Sequence, residues 1–182
     1  MIDNIHICTK CNLCKNQEPL LDDIDKCQIF WVGLSAKKVT CETEKPLSAT
    51  TNSGKLICSI EEKCSEISTY KTNLVKCVPL NEKDKLRYPN KKEIDTCFPN
   101  LMDEISELLP KIVFLLGEKV TTAVKKQYHF DFDGWSDFDY NYFSHNGTYF
   151  VPIHHPSYIH VYKRKQMDEY IEGVVKVIKT LL

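Results

Sequence analysis

The run Lys111-Ile112-Val113-Phe114-Leu115-Leu116-Gly117 constrains the fold of this 182-residue chain more than any other segment. Its unbroken apolar residues leave no polar alternate for a solvent-facing side, so a strand built from them must be covered on both faces. Gln28-Ile29-Phe30-Trp31-Val32-Gly33-Leu34 repeats the pattern, and Tyr70 to Cys77 reads as a further strand. Asn146-Gly147 is placed as a hairpin turn leading into Thr148-Tyr149-Phe150-Val151-Pro152-Ile153. Between these runs lie helical patterns: Leu56, Ile57 and Ile60 within 54–64; a helix capped by Asn90, with Ile94, Phe98, Leu101, Ile105 and Leu108 on one stripe and Pro99 as a kink; a short helix over 118–127; and a last one from about Lys163 to Leu182. Alternating strands and helices predict a three-layer α/β/α sandwich around a mostly parallel, four-stranded central sheet, with ligands at the carboxyl ends of the strands.

Length and composition predict one domain over 1–182, with a polar, turn-rich N-terminal segment, 1–27, that holds four of the nine cysteines. A formal net charge of -1 gives no global attraction to nucleic acid, so any DNA contact has to rest on local basic runs. The start, Met1-Ile2-Asp3-Asn4-Ile5-His6, lacks a basic segment followed by an apolar core, and no apolar run approaches the roughly 20 residues of a membrane span. A cytoplasmic monomer with no membrane contact is the expectation. In a reducing compartment an odd number of cysteines reads as metal ligands or buried thiols before disulfides.

Cys8-Thr9-Lys10-Cys11 is a C-x-x-C able to offer two thiolates to one metal centre, and Cys77 and Cys97 each lie where a strand or loop meets a helix. Four thiolates suit zinc or an iron-sulfur cluster equally, and spacing does not choose between them. Cys14, three residues beyond Cys11, competes with Cys8, while Cys58 and Cys64 read as core thiols on a helix.

The order of motifs resembles the uracil-DNA glycosylase superfamily, and most its iron-sulfur family 4 members. The resemblance rests on Cys8-x-x-Cys11-x-Leu13, the strand ending at Gly33 with its loop, Ser53-Gly54-Lys55-Leu56, Thr72-Asn73-Leu74-Val75-Lys76-Cys77 and His155-Pro156-Ser157, in that order. Glu93 to Cys97 and Pro110 to Gly117 extend it over nearly the whole chain. It implies a structural 4Fe-4S cluster on Cys8, Cys11, Cys77 and Cys97, with zinc as the alternative occupant, and a DNA glycosylase that flips a base out of the stack. Asn73 would read the pairing edge of a uracil-like ring, since a carboxamide offers both donor and acceptor. The simpler reading of Asn73 is a turn residue ending a strand. His155 would stabilise charge on the departing base, with its neighbour His154 as the competitor. Ser53, Gly54, Lys55, Ser157, Tyr158, Ile159, Lys163 and Arg164 would meet DNA, bulky groups wedging into the stack and cations holding phosphates.

The sequence departs from the family in the loop after the first strand. Family 4 members usually carry Gly-Glu-Ala-Pro-Gly there; this chain has Gly33-Leu34-Ser35-Ala36-Lys37. Ser35 falls where other branches place the acid or amide that orients the attacking water, and a hydroxyl positions water but is a poor base at neutral pH. Leu47 replaces the phenylalanine that stacks on the flipped base, and Lys37 stands where relatives guard the pyrimidine C5 side; Leu34, Lys37, Leu47 and Asn73 are thus the candidate base-binding set. Expected activity is hydrolysis of the glycosidic bond of uracil or a modified pyrimidine, leaving an abasic site, in repair or in defence against phage with modified bases. The alternative is a DNA-binding or DNA-trapping member with weak catalysis.

Overall fold

A computed structural model describes residues 2–23, 25–39, 41 and 43–182; Met1, in the segment read for a leader, Ile24, and Thr40 and Glu42 of the loop after the first strand lie outside the described residues. The strands are β1 (Ile29–Ser35), β2 (Thr69–Val75), β3 (Ile112–Leu116), β4 (Phe143–His145) and β5 (Thr148–Ile153). The helices are α1 (Asn52–Glu62), α2 (Lys91–Leu108), α3 (Glu118–Tyr128), α4 (Pro156–Tyr162) and α5 (Met167–Leu181). One sheet runs in the order β2-β1-β3-β5-β4. Its first four strands are parallel, and β4 pairs antiparallel to β5.

The sheet therefore has five strands and is mixed, where four mostly parallel strands were expected. The added strand is the short outer arm of the hairpin at Asn146-Gly147, whose two turn residues both take positive φ (49° and 81°), as a two-residue hairpin requires. At three residues, with Ser144 and His145 exposed, β4 carries too little apolar alternation to register as a strand in sequence.

Side-chain alternation along β1 divides the core. Ile29 and Trp31 join one apolar cluster with Phe114, Leu56, Ile57, Ile60 and α5, while Phe30 and Val32 join the other with Tyr70, Leu74, Leu101 and Val120. Both faces are thus buried, as the unbroken apolar runs require. Residues Ile112 to Leu116 are at most 1% exposed.

Helix boundaries follow local chemistry. The side chain of Thr51, a residue passed over in the sequence reading, accepts the Gly54 N–H and starts α1 two residues earlier than expected. Asn90 and Glu93 form a reciprocal capping box on α2, which continues through Pro99 without interruption. The expected last helix begins at Met167, after a 3-10 turn at Arg164–Gln166, and a further helix precedes it, α4, which Pro156 opens at the position where its missing N–H costs least. Among the described residues no helix is long and apolar enough to cross a membrane.

Candidate active site and thiol cluster

The carboxyl ends of β1, β2, β3 and β5 lie side by side, which brings Ser35, Asn73, Gly117 and the His154-His155 pair to one end of the sheet. Gly33 and Asn73 are direct partners across β1 and β2. The Asn73 carboxamide lies against Gly33, so close that a Cβ added there would stand 2.4 Å from its Oδ1 and 3.4 Å from Leu47 Cδ2. Glycine is needed here for side-chain room, not for backbone freedom. Asn73 is 3% exposed. Ser35 ends β1 on the Gly33 face, half-buried, whereas Leu34 points to the opposite side, where it packs on the Phe30 cluster. Of the candidate base-binding residues, Leu47 and Asn73 converge on Gly33, and the Leu34 side chain does not join them.

Lys37 turns into its own loop, where its ammonium pairs with Glu44 and contacts Thr50 Oγ1 at 3.4 Å. The amide of Gln17 grips the same loop at both ends, donating to Lys37 O at 3.2 Å and accepting the Val39 N–H at 3.0 Å. No sequence signal marked Gln17, because a lone amide in a polar segment matches no spacing rule.

His155 caps α4. Its Nδ1 accepts the Ser157 N–H at 3.1 Å and lies 2.7 Å from Ser157 Oγ. A ring nitrogen that accepts from a backbone amide carries no proton, so the neutral imidazole holds its proton on Nε2, free to donate. Burial holds the His155 pKa below the ordinary histidine range, which keeps the ring neutral near pH 7. Gly117, at φ 87°, lies against the His155 side chain, and a Cβ on it would stand 3.0 Å from His155 Cβ.

His154 has a different setting. Its Nδ1 shares a 3.0 Å hydrogen bond with the Tyr140 hydroxyl, and Trp135, Phe138 and Tyr158 pack around the ring. Burial, assisted by the Lys163 cation, depresses its pKa to about 4.

The expected DNA-facing residues separate by exposure. Tyr158 is 41% exposed and lies against Tyr162 with the rings tilted by 40°, Tyr162 itself being 75% exposed, with the exposed Arg164 beyond the helix; Lys163 lies over the Phe138 ring at 5.1 Å. Lys55 is exposed on the first turn of α1 and Ser53 half-buried. Ile159 is the correction: it is 0% exposed within the core cluster, because the α4 stripe that packs toward α1 and α5 includes it. Gly54 is likewise buried beneath the Leu47 and Ser48 carbonyls, with its N–H already taken by Thr51.

At the far side of β2, Cys8, Cys11, Cys77 and Cys97 line one small cavity together with Lys10 and Asn100. Cys11 precedes a 3-10 turn (Asn12–Lys15), Cys77 follows β2, and Cys97 lies on α2. Asn100, one turn beyond Cys97, points its amide at both Cys8 Sγ (3.7 Å) and Cys97 Sγ (3.6 Å), and the Lys76 N–H points at Cys97 Sγ (3.4 Å). Burial, with Cys97 beside it, pushes the Cys77 thiol up to about 12, and burial raises Cys97 as well. Cys14 does not line the cavity; its thiol turns back to the Cys11 carbonyl at 3.1 Å. Among the described residues no three His, Cys, Asp or Glu side chains are grouped so that one metal ion could be held between them. Sulfurs around a lone tetrahedral zinc stand about 3.8 Å apart, as a bond length of about 2.3 Å dictates.

Comparison with known proteins bears on the family and the fold. The model of the uracil DNA glycosylase superfamily matches residues 17–179, a span that includes Cys77 and Cys97 and begins after Cys8 and Cys11. The type-4 uracil-DNA glycosylase of Saccharolobus solfataricus (strain ATCC 35092 / DSM 1617 / JCM 11322 / P2) is 28% identical over 130 residues, 69% of this chain; the match spans 57% of that relative's length. The crystal structure of wild-type SMUG2 from Pedobacter heparinus aligns with a TM-score of 0.55 at 15% identity, covering 86% of this chain and 76% of that one, a likeness of fold. With a family match running from the segment after the paired cysteines almost to the end of α5, this chain belongs to the uracil DNA glycosylase superfamily.

Proposed function

We propose that the protein is a monofunctional DNA glycosylase, a single domain over 1–182 that acts as a cytoplasmic monomer. It flips out uracil or a modified pyrimidine and hydrolyses its glycosidic bond with water, leaving an abasic site in repair or in defence against phage with modified bases. The observation that carries this reading is the Asn73 carboxamide, buried and held against Gly33 at the carboxyl end of the sheet. A carboxamide held that way presents a donor and an acceptor to one pairing edge, which is what a pocket for a flipped uracil-like ring needs. Superfamily membership supports the glycosylase class. It does not choose the base.

His155 serves the departing base. With Nδ1 occupied by Ser157, its Nε2–H is the donor toward a base oxygen that gains negative charge as the bond breaks. A neutral imidazole suits this, since donation then persists across neutral pH. Ser35 positions the attacking water through its hydroxyl. With no carboxylate at that position, the rate rests more on leaving-group stabilisation than on base catalysis. Tyr158, Lys163, Arg164, Ser157, Ser53 and Lys55 form the DNA-facing rim, exposed aromatic area beside cations.

Cys8, Cys11, Cys77 and Cys97 would hold a 4Fe-4S cluster. The donor set fits: four thiols, no carboxylate, and N–H groups of Asn100 and Lys76 directed at sulfur, the outer contacts that iron-sulfur thiolates receive. A cubane takes one thiolate at each of four irons, so it accepts thiols too dispersed for one zinc ion. When bound, the cluster would supply a cross-link between the N-terminal segment, β2 and α2, and the thiols would lose their protons to solvent as they ligate iron.

The test is release of free base from oligonucleotides carrying uracil, hypoxanthine, hydroxymethylcytosine or its glucosylated form. Excision of at least one base, lost on Asn73→Ala and His155→Ala with DNA affinity within about threefold of wild type, is the expected result. Tight DNA binding with no base released from any of them would instead identify a DNA-trapping protein.

A further inference from the structure

Beneath Asn73 lies an ion pair that fold stability alone does not explain. Lys76 is 1% exposed and Glu104 0%. The Lys76 ammonium uses all three protons: one to Glu104 Oε2 at 2.5 Å, one to Thr72 Oγ1 at 2.6 Å, and one to the main-chain carbonyl of Asn73 at 2.6 Å. Glu104 also accepts from the Tyr70 hydroxyl at 3.1 Å and from Thr72. A buried pair of this kind is commonly no more stable than apolar residues of the same volume, because desolvating two charges offsets their attraction. Its geometric consequence is specific. β2 is an edge strand, and the chain on its outer side meets the backbone here at Lys71, whose N–H donates to Asp22 Oδ2, and at Lys76, whose carbonyl accepts the Leu20 N–H. Between those two points the Lys76 ammonium holds the main chain at one residue, Asn73.

Glu104 reaches this point from α2, where it lies two turns beyond Cys97 on the same face, with Asn100 between them. Lys76 itself lies between Asn73 and Cys77 and gives its N–H to Cys97 Sγ. The pair therefore joins the helix that carries one cavity-lining thiol to the strand that carries the carboxamide.

We infer that Lys76 and Glu104 are positioning residues for base recognition, acting as a buried strut that pins the Asn73 main chain so that its carboxamide stays against Gly33. The inference rests on the reading of Asn73 as the base reader. Lys76 and Glu104 touch no substrate; their effect passes through one carbonyl.

The test compares Lys76→Met, Glu104→Gln and the double variant with Tyr70→Phe, which removes a Glu104 partner that does not touch Asn73. Each single variant leaves one buried charge unpaired, and its Tm should fall by roughly 10 °C. The double variant leaves no lone charge and should recover at least half of that loss. Recognition is read as the affinity ratio between an oligonucleotide with one 2′-fluoro-2′-deoxyuridine, whose glycosidic bond resists cleavage, and the same strand with thymidine. The double variant should lose about tenfold of the wild-type ratio while binding the thymidine strand within twofold, and Tyr70→Phe should keep the ratio within twofold. A crystal structure of the double variant reads Asn73 without any activity assay, and the carboxamide should have left Gly33. A carboxamide still over Gly33, or a ratio restored along with Tm, overturns the inference. A wild-type protein that shows no preference and releases no base refutes the glycosylase reading, while the crystal structure still decides whether the strut places Asn73.

Discussion

Protonation of His154 should carry a measurable share of the acid sensitivity of the fold. In the folded chain its pKa is depressed to about 4 by burial among Trp135, Phe138, Tyr140 and Tyr158, against 6.5 for an ordinary histidine. Between those values the unfolded chain binds a proton that the folded chain refuses. The contribution is therefore fully present above pH 6.5 and is lost as pH falls toward 4. Going from about pH 7.5 to about pH 4.5, at about 1.4 kcal/mol per tenfold in proton affinity, the loss is up to about 2.5 kcal/mol. The perturbation is His154→Gln, which keeps a polar partner for the Tyr140 hydroxyl and cannot titrate. Urea unfolding of both proteins at the two pH values gives the measurement. Carboxylates weaken both proteins alike in acid, so the difference isolates one imidazole. The deficit of His154→Gln at the higher pH should shrink by about 2.5 kcal/mol at the lower. Parallel pH profiles, with a change under about 0.5 kcal/mol, would refute the reasoning, since ordinary extrapolation error is of that size.

Three further outcomes follow from the geometry of the site. Gly33→Ala should displace the Asn73 carboxamide, because the new methyl would stand 2.4 Å from Asn73 Oδ1; base release should fall about a hundredfold, comparable to losing an oriented polar contact in a buried site, with secondary structure by circular dichroism unchanged. Ser157→Ala retains the N–H that His155 Nδ1 accepts and removes only the hydroxyl at 2.7 Å, so single-turnover base release should fall by about tenfold or less, and Ser157→Pro, which removes the N–H as well, should cost more. Cys14→Ser should purify with the iron and sulfide content of wild type, because its thiol faces the Cys11 carbonyl, whereas Cys8→Ser or Cys97→Ser should lose most of both.

The amino-acid sequence by itself determined the parallel core. Runs such as Ile112 to Leu116 have no polar alternate, so burial on both faces, and hence helices on both faces, follows from composition and period alone. Asn90 as a helix cap, and Asn146 with Gly147 as a turn, were legible because capping and turn formation are decided within four residues. The motifs ending in Asn73 and His155 could be read as points along the chain, and the C-x-x-C as a pair of donors. What those points do to one another needed the tertiary structure. That Asn73 rests on Gly33, that Leu34 faces the other core, and that Ile159 is buried while Tyr158 is not all depend on strand register and on which helix face meets the sheet. The fifth strand escaped notice because three residues with two exposed side chains carry no period. Nothing local marks Lys76 or Glu104, since along the chain a solvated lysine and one whose ammonium is buried against a carboxylate 28 residues away look the same. Burial and pairing at that distance are properties of the packed chain, and the candidate base reader, legible in sequence as a single asparagine, owes its placement to them.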